Sequence, residues 1–178
     1  ATSFDSWNTI SKVMAPLYAT DGLVAAGSPL AAEIDRIKAA ETDPLKRTAL
    51  ALQLLQQKIR YLFKGMDHGN YTPQNPNRTW TMRYGDCKAK TLLLLAILRG
   101  MGVEAEPVLA SSQLGDLLPD RLPTPGAFDH VFVRATVAGE TLWLDGTDGG
   151  ARLADIHDAP SFRFVLPVYV RTAKGVQT

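Results

Sequence analysis

The hydrophobic period of the chain changes once, at Gly100-Met101-Gly102, and that change constrains the fold more than any other feature of the sequence. Before it, apolar residues recur at intervals of three and four, which gathers them on one face of a helix. After it they alternate, which gathers them on one face of a strand. Helices followed by strands within 178 residues predict one α+β domain, an N-terminal helical layer packed with a further helix on an antiparallel sheet.

The helical part has clear starts. Trp7, Ile10, Met14 and Leu17 share a face on a helix that begins near Ser3 or Ser6 and ends at Pro16 or soon after. Ser28-Pro29 and Asp43-Pro44 each place a capping side chain before a proline suited to the first helical position. The second of these opens the longest helix, expected from Leu45 to about Phe63 with Leu52, Leu55, Ile59 and Leu62 or Phe63 buried. Residues 64–80 hold two Gly, two Pro and three Asn and read as irregular connection. A fourth helix runs from Asp86 or Cys87 to Arg99, apolar nearly all round and therefore buried on most sides. Strands follow at Val103–Ala110, Val131–Val137, Glu140–Asp145 and Phe164–Val170. Between the first two lie 18 residues, 111–128, with three prolines, a length that in a compact domain often carries function.

Composition narrows the function classes. With 46% apolar residues there is enough side chain to bury a core. The longest purely apolar run, Leu92 to Leu98, is seven residues, far below the roughly 20 of a membrane-spanning helix. A net charge of +1 argues against nucleic acid as partner, since polyanion binding needs clustered positive charge. The charge is uneven: residues 1–102 carry 13 basic and 8 acidic side chains, residues 103–178 carry 6 and 10. One cysteine, Cys87, excludes an internal disulfide and any multi-cysteine metal site.

Cys87 sits where a thiol can be made reactive. The thiolate is the nucleophile, and it needs positive surroundings and a base in reach. Asp86 as helix cap would put Cys87 in the first turn, at the positive end of the helix dipole, with Arg83, Lys88 and Lys90 nearby. The bland alternative is a small buried hydrophobe, which many lone cysteines are. Of the three histidines, His68 and His157 lie in loop-like sequence and read as solvated. His130 opens a strand, and the next strand ends at Asp145. A two-residue turn at Ala138-Gly139 puts His130 opposite Thr147, so that His130 and Asp145 share one face as diagonal neighbours. Val131, Val133, Ala135, Val137, Leu142 and Leu144 then form an apolar set on the other face, which supports that phase.

Further candidates are weaker. Trp80, seven residues before the cysteine, and Gln74 are candidate oxyanion or substrate-binding donors, with a packing Trp and a solvated Gln as the simpler readings. The Cys87 backbone N–H is another such donor. Trp143 shares the His130 face with Phe132 and either walls the site or packs. Asp145, Asp148 and Asp155 lack the spacing of an EF-hand loop, and neither a metal nor a cofactor is expected.

Three ordered blocks, Arg83-Tyr84-Gly85-Asp86-Cys87-Lys88 with the Leu-rich helix and Gly100–Ala105, Phe128-Asp129-His130-Val131, and Leu142-Trp143-Leu144-Asp145-Gly146-Thr147, resemble the core of the bacterial transglutaminase-like proteins, which share the papain-like order of Cys, His and Asp. The match covers roughly residues 45–150. The resemblance implies Cys87 as nucleophile, His130 as general base and acid and Asp145 as the group orienting the imidazole, in a thiol-dependent acyl transfer on amide bonds. Hydrolysis of a peptide or protein substrate is the expected outcome, with glutamine transamidation and a non-catalytic peptide-binding module as alternatives. Residues 1–178 then form a single domain with a helical layer at 1–63, a catalytic core at 64–150 and a C-terminal strand segment at 151–178, excised from a longer protein with flanking domains and of an exported, periplasmic kind. Ala89 stands where relatives often have an acid. Gly146 stands where they often have Pro, which would loosen the backbone beside Asp145.

Overall fold

The computed structural model describes residues 2–64, 66, 70–169, 171–172 and 175–176. Helix α1, Trp7–Met14, starts where the Ser6 side chain accepts the Thr9 N–H, and passes into a 3-10 turn at Ala15–Tyr18 where Pro16 removes a donor. Helices α2, Pro29–Ala40, and α3, Pro44–Lys58, begin at the expected caps, with the Ser28 and Asp43 side chains accepting from Ala31 and Lys46.

Two boundaries differ from the sequence reading. Helix α3 stops at Lys58 instead of Phe63 because the chain turns extended at Ile59. Arg60–Tyr61 then forms strand β1, parallel to strand β2 at Tyr84–Gly85, with the Arg60 N–H on the Arg83 carbonyl at 2.8 Å and the Leu62 N–H on the Gly85 carbonyl at 3.0 Å. Ile59 stays buried, whereas Leu62 and Phe63 are exposed. An apolar run this short fits either period, and hydrogen bonds to a distant segment decided it. The second difference lies inside 64–80, where Pro76–Met82 is helix α4, capped by Asn75 with Pro76 in its first turn.

Helix α5, Cys87–Gly100, is the central element. No residue from Leu92 to Leu98 is more than 4% exposed, because α3 and α4 cover one side and the sheet covers the other. Truncating Leu94 to Ala would cost about 2–5 kcal/mol. The sheet has the order β5-β4-β3-β6, with β3 at Glu104–Ala110, β4 at His130–Val137, β5 at Glu140–Leu144 and β6 at Val165–Pro167, all antiparallel. Val131, Val133, Ala135 and Val137 join the core cluster of α5, while Phe132, Val108 and Ala110 form a smaller cluster on the opposite face with Trp143, Phe162 and Val165. Strand β6 is shorter than the expected Phe164–Val170, ending at an edge proline, and Val170 lies outside the described residues. Arg171–Thr172 pairs antiparallel with Gly175–Val176 as β7 and β8.

The hairpin between β4 and β5 turns at Ala138 (φ 51°) and Gly139 (φ 82°), both left-handed as a type I′ turn requires. Val137 pairs with Glu140 and Val133 with Leu144. The even-length turn brings His130 and Asp145 to one face. Residues 111–128 contain two 3-10 turns, Gly115–Asp120 and Pro125–Ala127. The ends of this loop are clasped by Asp129, whose carboxylate accepts the Ser112 N–H at 2.8 Å and the Ser112 hydroxyl at 2.6 Å.

Candidate active site

Cys87 is the first residue of α5 and is 1% exposed. Asp86 caps the helix through the Ala89 N–H at 3.0 Å, and its other oxygen holds the buried Lys88 ammonium. The basic neighbours expected to act on the thiol are thus committed elsewhere. Lys88 pairs with Asp86, Arg83 stacks on Trp80 at 3.8 Å, and Lys90 donates to the Ile59 carbonyl at 2.6 Å. Burial pulls the Lys90 ammonium down to about 8, against the opposing charge of Asp145. What remains to act on Cys87 is the helix terminus and the His130 imidazole.

His130 Nε2 and Asp145 Oδ2 are 2.6 Å apart. The other carboxylate oxygen of Asp145 accepts the Thr147 N–H at 2.8 Å and the Thr147 hydroxyl at 2.7 Å. The imidazole packs in a cluster with Phe132 at 6.0 Å and Phe162 at 5.6 Å between centroids, the two phenyl rings being 5.7 Å from each other. With Nε2 committed to Asp145, Nδ1 is the ring nitrogen left for the sulfur. Burial disfavours the charged imidazole, but hydrogen bonds to Asp145 and Cys87, and then their charges, prevail and push His130 up to about 10. Burial raises the Asp145 carboxyl, yet the His130 hydrogen bond and charge and the Thr147 bonds outweigh it and hold the carboxyl below its usual range. The three side chains can therefore store a proton on the imidazole beside an acid that stays ionised.

A cavity of about 380 Å³ opens over His130 and Asp145, with Ser112, Asp129, Thr147 and Asp148 among its polar walls and Phe63 and Phe162 among its apolar ones. Cys87 does not line it. Burial, and then the charge of Asp145, raise Asp148 despite the opposing charge of His130.

The other residues singled out in the sequence fall outside this group. Gln74 spends its amide N–H groups on Thr79 Oγ1 at 3.1 Å and the Tyr84 carbonyl at 3.3 Å, so it braces the segment before β2. Trp80 belongs to the core. Trp143 packs on Phe132 at 6.2 Å. His157 is exposed, 3.6 Å from Glu140, and His68 lies outside the described residues. Among the described residues no group of three acidic, histidine or cysteine side chains could hold a metal ion, and no helix is long and apolar enough to cross a membrane.

Three residues of the site had no signal in the sequence. Gln56 on α3 donates to the Asp145 carbonyl at 3.0 Å and accepts the Ala151 N–H at 2.8 Å, bracketing the turn after β5. Phe162 packs against His130 from the C-terminal segment, the rings tilted by 30°. Tyr61 on β1 is pushed up to about 12, by burial first and then by the charges of Cys87, Asp145 and Asp86, which puts its phenol within the field of the site.

No family model matches the chain, and no curated protein matches it either. Among solved structures it is similar to a "putative protease" from Parabacteroides distasonis, at 16% identity and a TM-score of 0.61, over 80% of this chain and 27% of that one. It is also similar to a "putative cysteine protease" from Cytophaga hutchinsonii, at 15% identity and a TM-score of 0.42, over 68% and 34%. This chain therefore spans about a quarter to a third of those proteins. With the first it shares the fold, which in this chain is α+β, with N-terminal helices and the Cys87 helix packed on an antiparallel sheet.

Proposed function

We propose that the chain is a cysteine hydrolase of the transglutaminase-like kind that cleaves peptide or related amide bonds through Cys87, His130 and Asp145. The observation that carries this reading is the His130 imidazole, fixed by Asp145 at 2.6 Å and pushed up by both Asp145 and Cys87, the residue that starts α5. The name of the first structural neighbour, a protease, points coarsely the same way.

The chemistry balances with these groups alone. The Cys87 thiolate attacks the amide carbonyl carbon and its electrons move onto the oxygen. When the C–N bond breaks, the His130 imidazolium gives its proton to the departing amine, leaving a thioester. Neutral imidazole then takes a proton from water, whose oxygen displaces the sulfur and yields the carboxylic acid. Asp145 keeps the ring oriented and its positive form stable throughout. The Cys87 N–H, at a helix start, is available to the oxyanion.

Water is favoured over an amine as acceptor because the cavity over His130 and Asp145 is rimmed by Ser112, Asp129, Thr147 and Asp148, a hydrated entry. One observation favours a second reading, a peptide-binding module without catalysis: Cys87 is 1% exposed. The experiment combines iodoacetamide labelling of the native protein with a glutamine-containing peptide pool and a labelled primary amine, read by mass spectrometry for wild type and Cys87→Ala. Labelling of Cys87 and new peptide termini that depend on it are expected. Cys87-dependent amine incorporation above hydrolysis would make the chain a transamidase. Neither product, with peptide binding that survives Cys87→Ala, would establish the binding module.

A further inference from the structure

A second cavity, of about 400 Å³, lies beside the one over His130 and Asp145, and the two share Phe63, Gln113 and Asp129 in their walls. Its remaining lining is mostly apolar, with Met66, Tyr71, Leu114, Ala127 and Phe128. The floor is stiff, since Phe128 is 3% exposed and meets the Trp7 ring edge-on at 5.6 Å.

Two of the polar side chains at its rim, Ser111 and Asp129, already have partners. Ser111 Oγ accepts the Leu114 N–H at 3.1 Å, and both Asp129 oxygens are taken by Ser112. Among the described residues the buried side-chain polar atoms without a partner are Tyr18 Oη and Asn77 Oδ1, and neither residue lines this basin. In exchange for its water a polar guest would find chiefly the Gln113 amide, whereas an apolar one gains burial over most of the wall. Phe63, 76% exposed, lines both cavities, so a ligand lying across both would cover it.

We infer that this basin is a specificity pocket continuous with the catalytic groove, and that it takes a bulky apolar side chain, of the size of Leu, Met or Phe, from a peptide substrate within two residues of the amide that Cys87 attacks. The inference rests on the peptidase reading. Asp129, in the shared wall, directly precedes His130, and an extended peptide advances about 3.3 Å per residue, so a side chain near the reacting carbonyl is the one that reaches the basin.

The test uses the full chain and a peptide pool randomised around the cleavage point, with new termini read by mass spectrometry and the Cys87→Ala background removed. The expected result is an enrichment of at least about tenfold for Leu, Met or Phe over Gly at one position. Ala127→Phe, which fills the basin, should shift that position toward Gly and Ala. Leu114→Ser, at a partly exposed wall, should lower the enrichment several-fold and guards against a misfolded Ala127 variant. Cys87-dependent cleavage without an apolar preference, or with one that neither variant alters, would overturn the pocket and leave the peptidase reading standing. No Cys87-dependent cleavage at all would remove the peptidase reading and the pocket with it.

Discussion

Gln56 holds Asp145 by its backbone: the Gln56 amide donates to the Asp145 carbonyl at 3.0 Å and, through its oxygen, accepts the Ala151 N–H at 2.8 Å. One side chain on α3 thereby fixes both ends of the turn that carries the acid facing His130. Gln56→Leu removes both bonds and leaves two partly buried backbone groups unmet, an expected cost of about 1–3 kcal/mol. Gln56→Glu keeps the acceptor and loses the donor. The readout that separates positioning from bulk stability is the titration of His130 by NMR, which should move down from about 10 in Gln56→Leu and less in Gln56→Glu. Ser11→Ala, which removes the distant bond to the Pro167 carbonyl, should lower stability without moving that titration. Equal shifts in the Gln56→Leu and Ser11→Ala variants would refute the positioning role.

The His130–Asp145 pair predicts a particular pH dependence of stability. His130 is raised from 6.5 to about 10, so its contribution is complete below about 6.5 and is lost as pH rises through about 10. Asp145 is lowered from 3.8, so its contribution is present above about 4 and is lost as the carboxylate protonates at lower pH. The stability difference between wild type and Asp145→Asn should therefore be largest between about pH 4 and 6.5 and shrink toward pH 10. Urea titrations at intervals of one pH unit measure it. A difference that grows with pH above 7 would contradict the pairing.

The parts of this site that were legible in the sequence are local. Asp86 and Cys87 declare a helix start, and Ala138-Gly139 sets a turn whose even length puts His130 and Asp145 on one face. Gln56 was not legible because its amide meets Asp145 across 89 residues of chain, and nothing in the periodicity of α3 marks a polar residue as a clamp. The charges of Lys88, Lys90 and Arg83 were visible while their partners, a capping carboxylate, a carbonyl and an indole, were not. Strand β1 escaped for a related reason: Arg60 and Tyr61 are exposed, and their strand character lies in hydrogen bonds to Arg83 and Gly85.

Gly146 is a matter of close approach instead of looseness. A Cβ at this position would run into the Cδ2 methyl of Leu55, which is fully buried, and would also touch Lys90 Cβ at 3.7 Å. The backbone on either side is pinned, at Asp145 by Gln56 and at Thr147 by the Asp145 carboxylate. Gly146→Ala should destabilise by about 1–3 kcal/mol through overpacking. Leu55→Ala alone should cost about 2–5 kcal/mol. Because the new methyl would occupy space that Leu55 vacates, the double variant should be more stable than the sum of the two by about 1 kcal/mol or more. Additive losses in a double-mutant cycle would show that the two side chains do not compete for the same volume.

The clasp between Ser112 and Asp129 gives a last prediction. Asp129 adjoins His130 in sequence, and its carboxylate joins both ends of the 111–128 loop through the Ser112 N–H and hydroxyl. The loop also supplies Leu114, Ala127 and Phe128 to the apolar basin. Asp129→Ala removes two hydrogen bonds to an exposed charged group, worth about 1–2 kcal/mol together after solvent competition. It opens the loop without touching the β4–β5 hairpin, so the His130–Asp145 distance should persist while the basin loses its shape. The expected signature is a loss of discrimination between apolar and glycine-containing peptides several-fold larger than the change in the rate of iodoacetamide labelling at Cys87. Ser112→Ala, which keeps the backbone N–H bond and drops the hydroxyl one, should fall between wild type and Asp129→Ala in both measurements. A labelling rate that falls in step with the peptide preference would place the effect of Asp129 on the cysteine and histidine themselves, and the loop would then be only a connection.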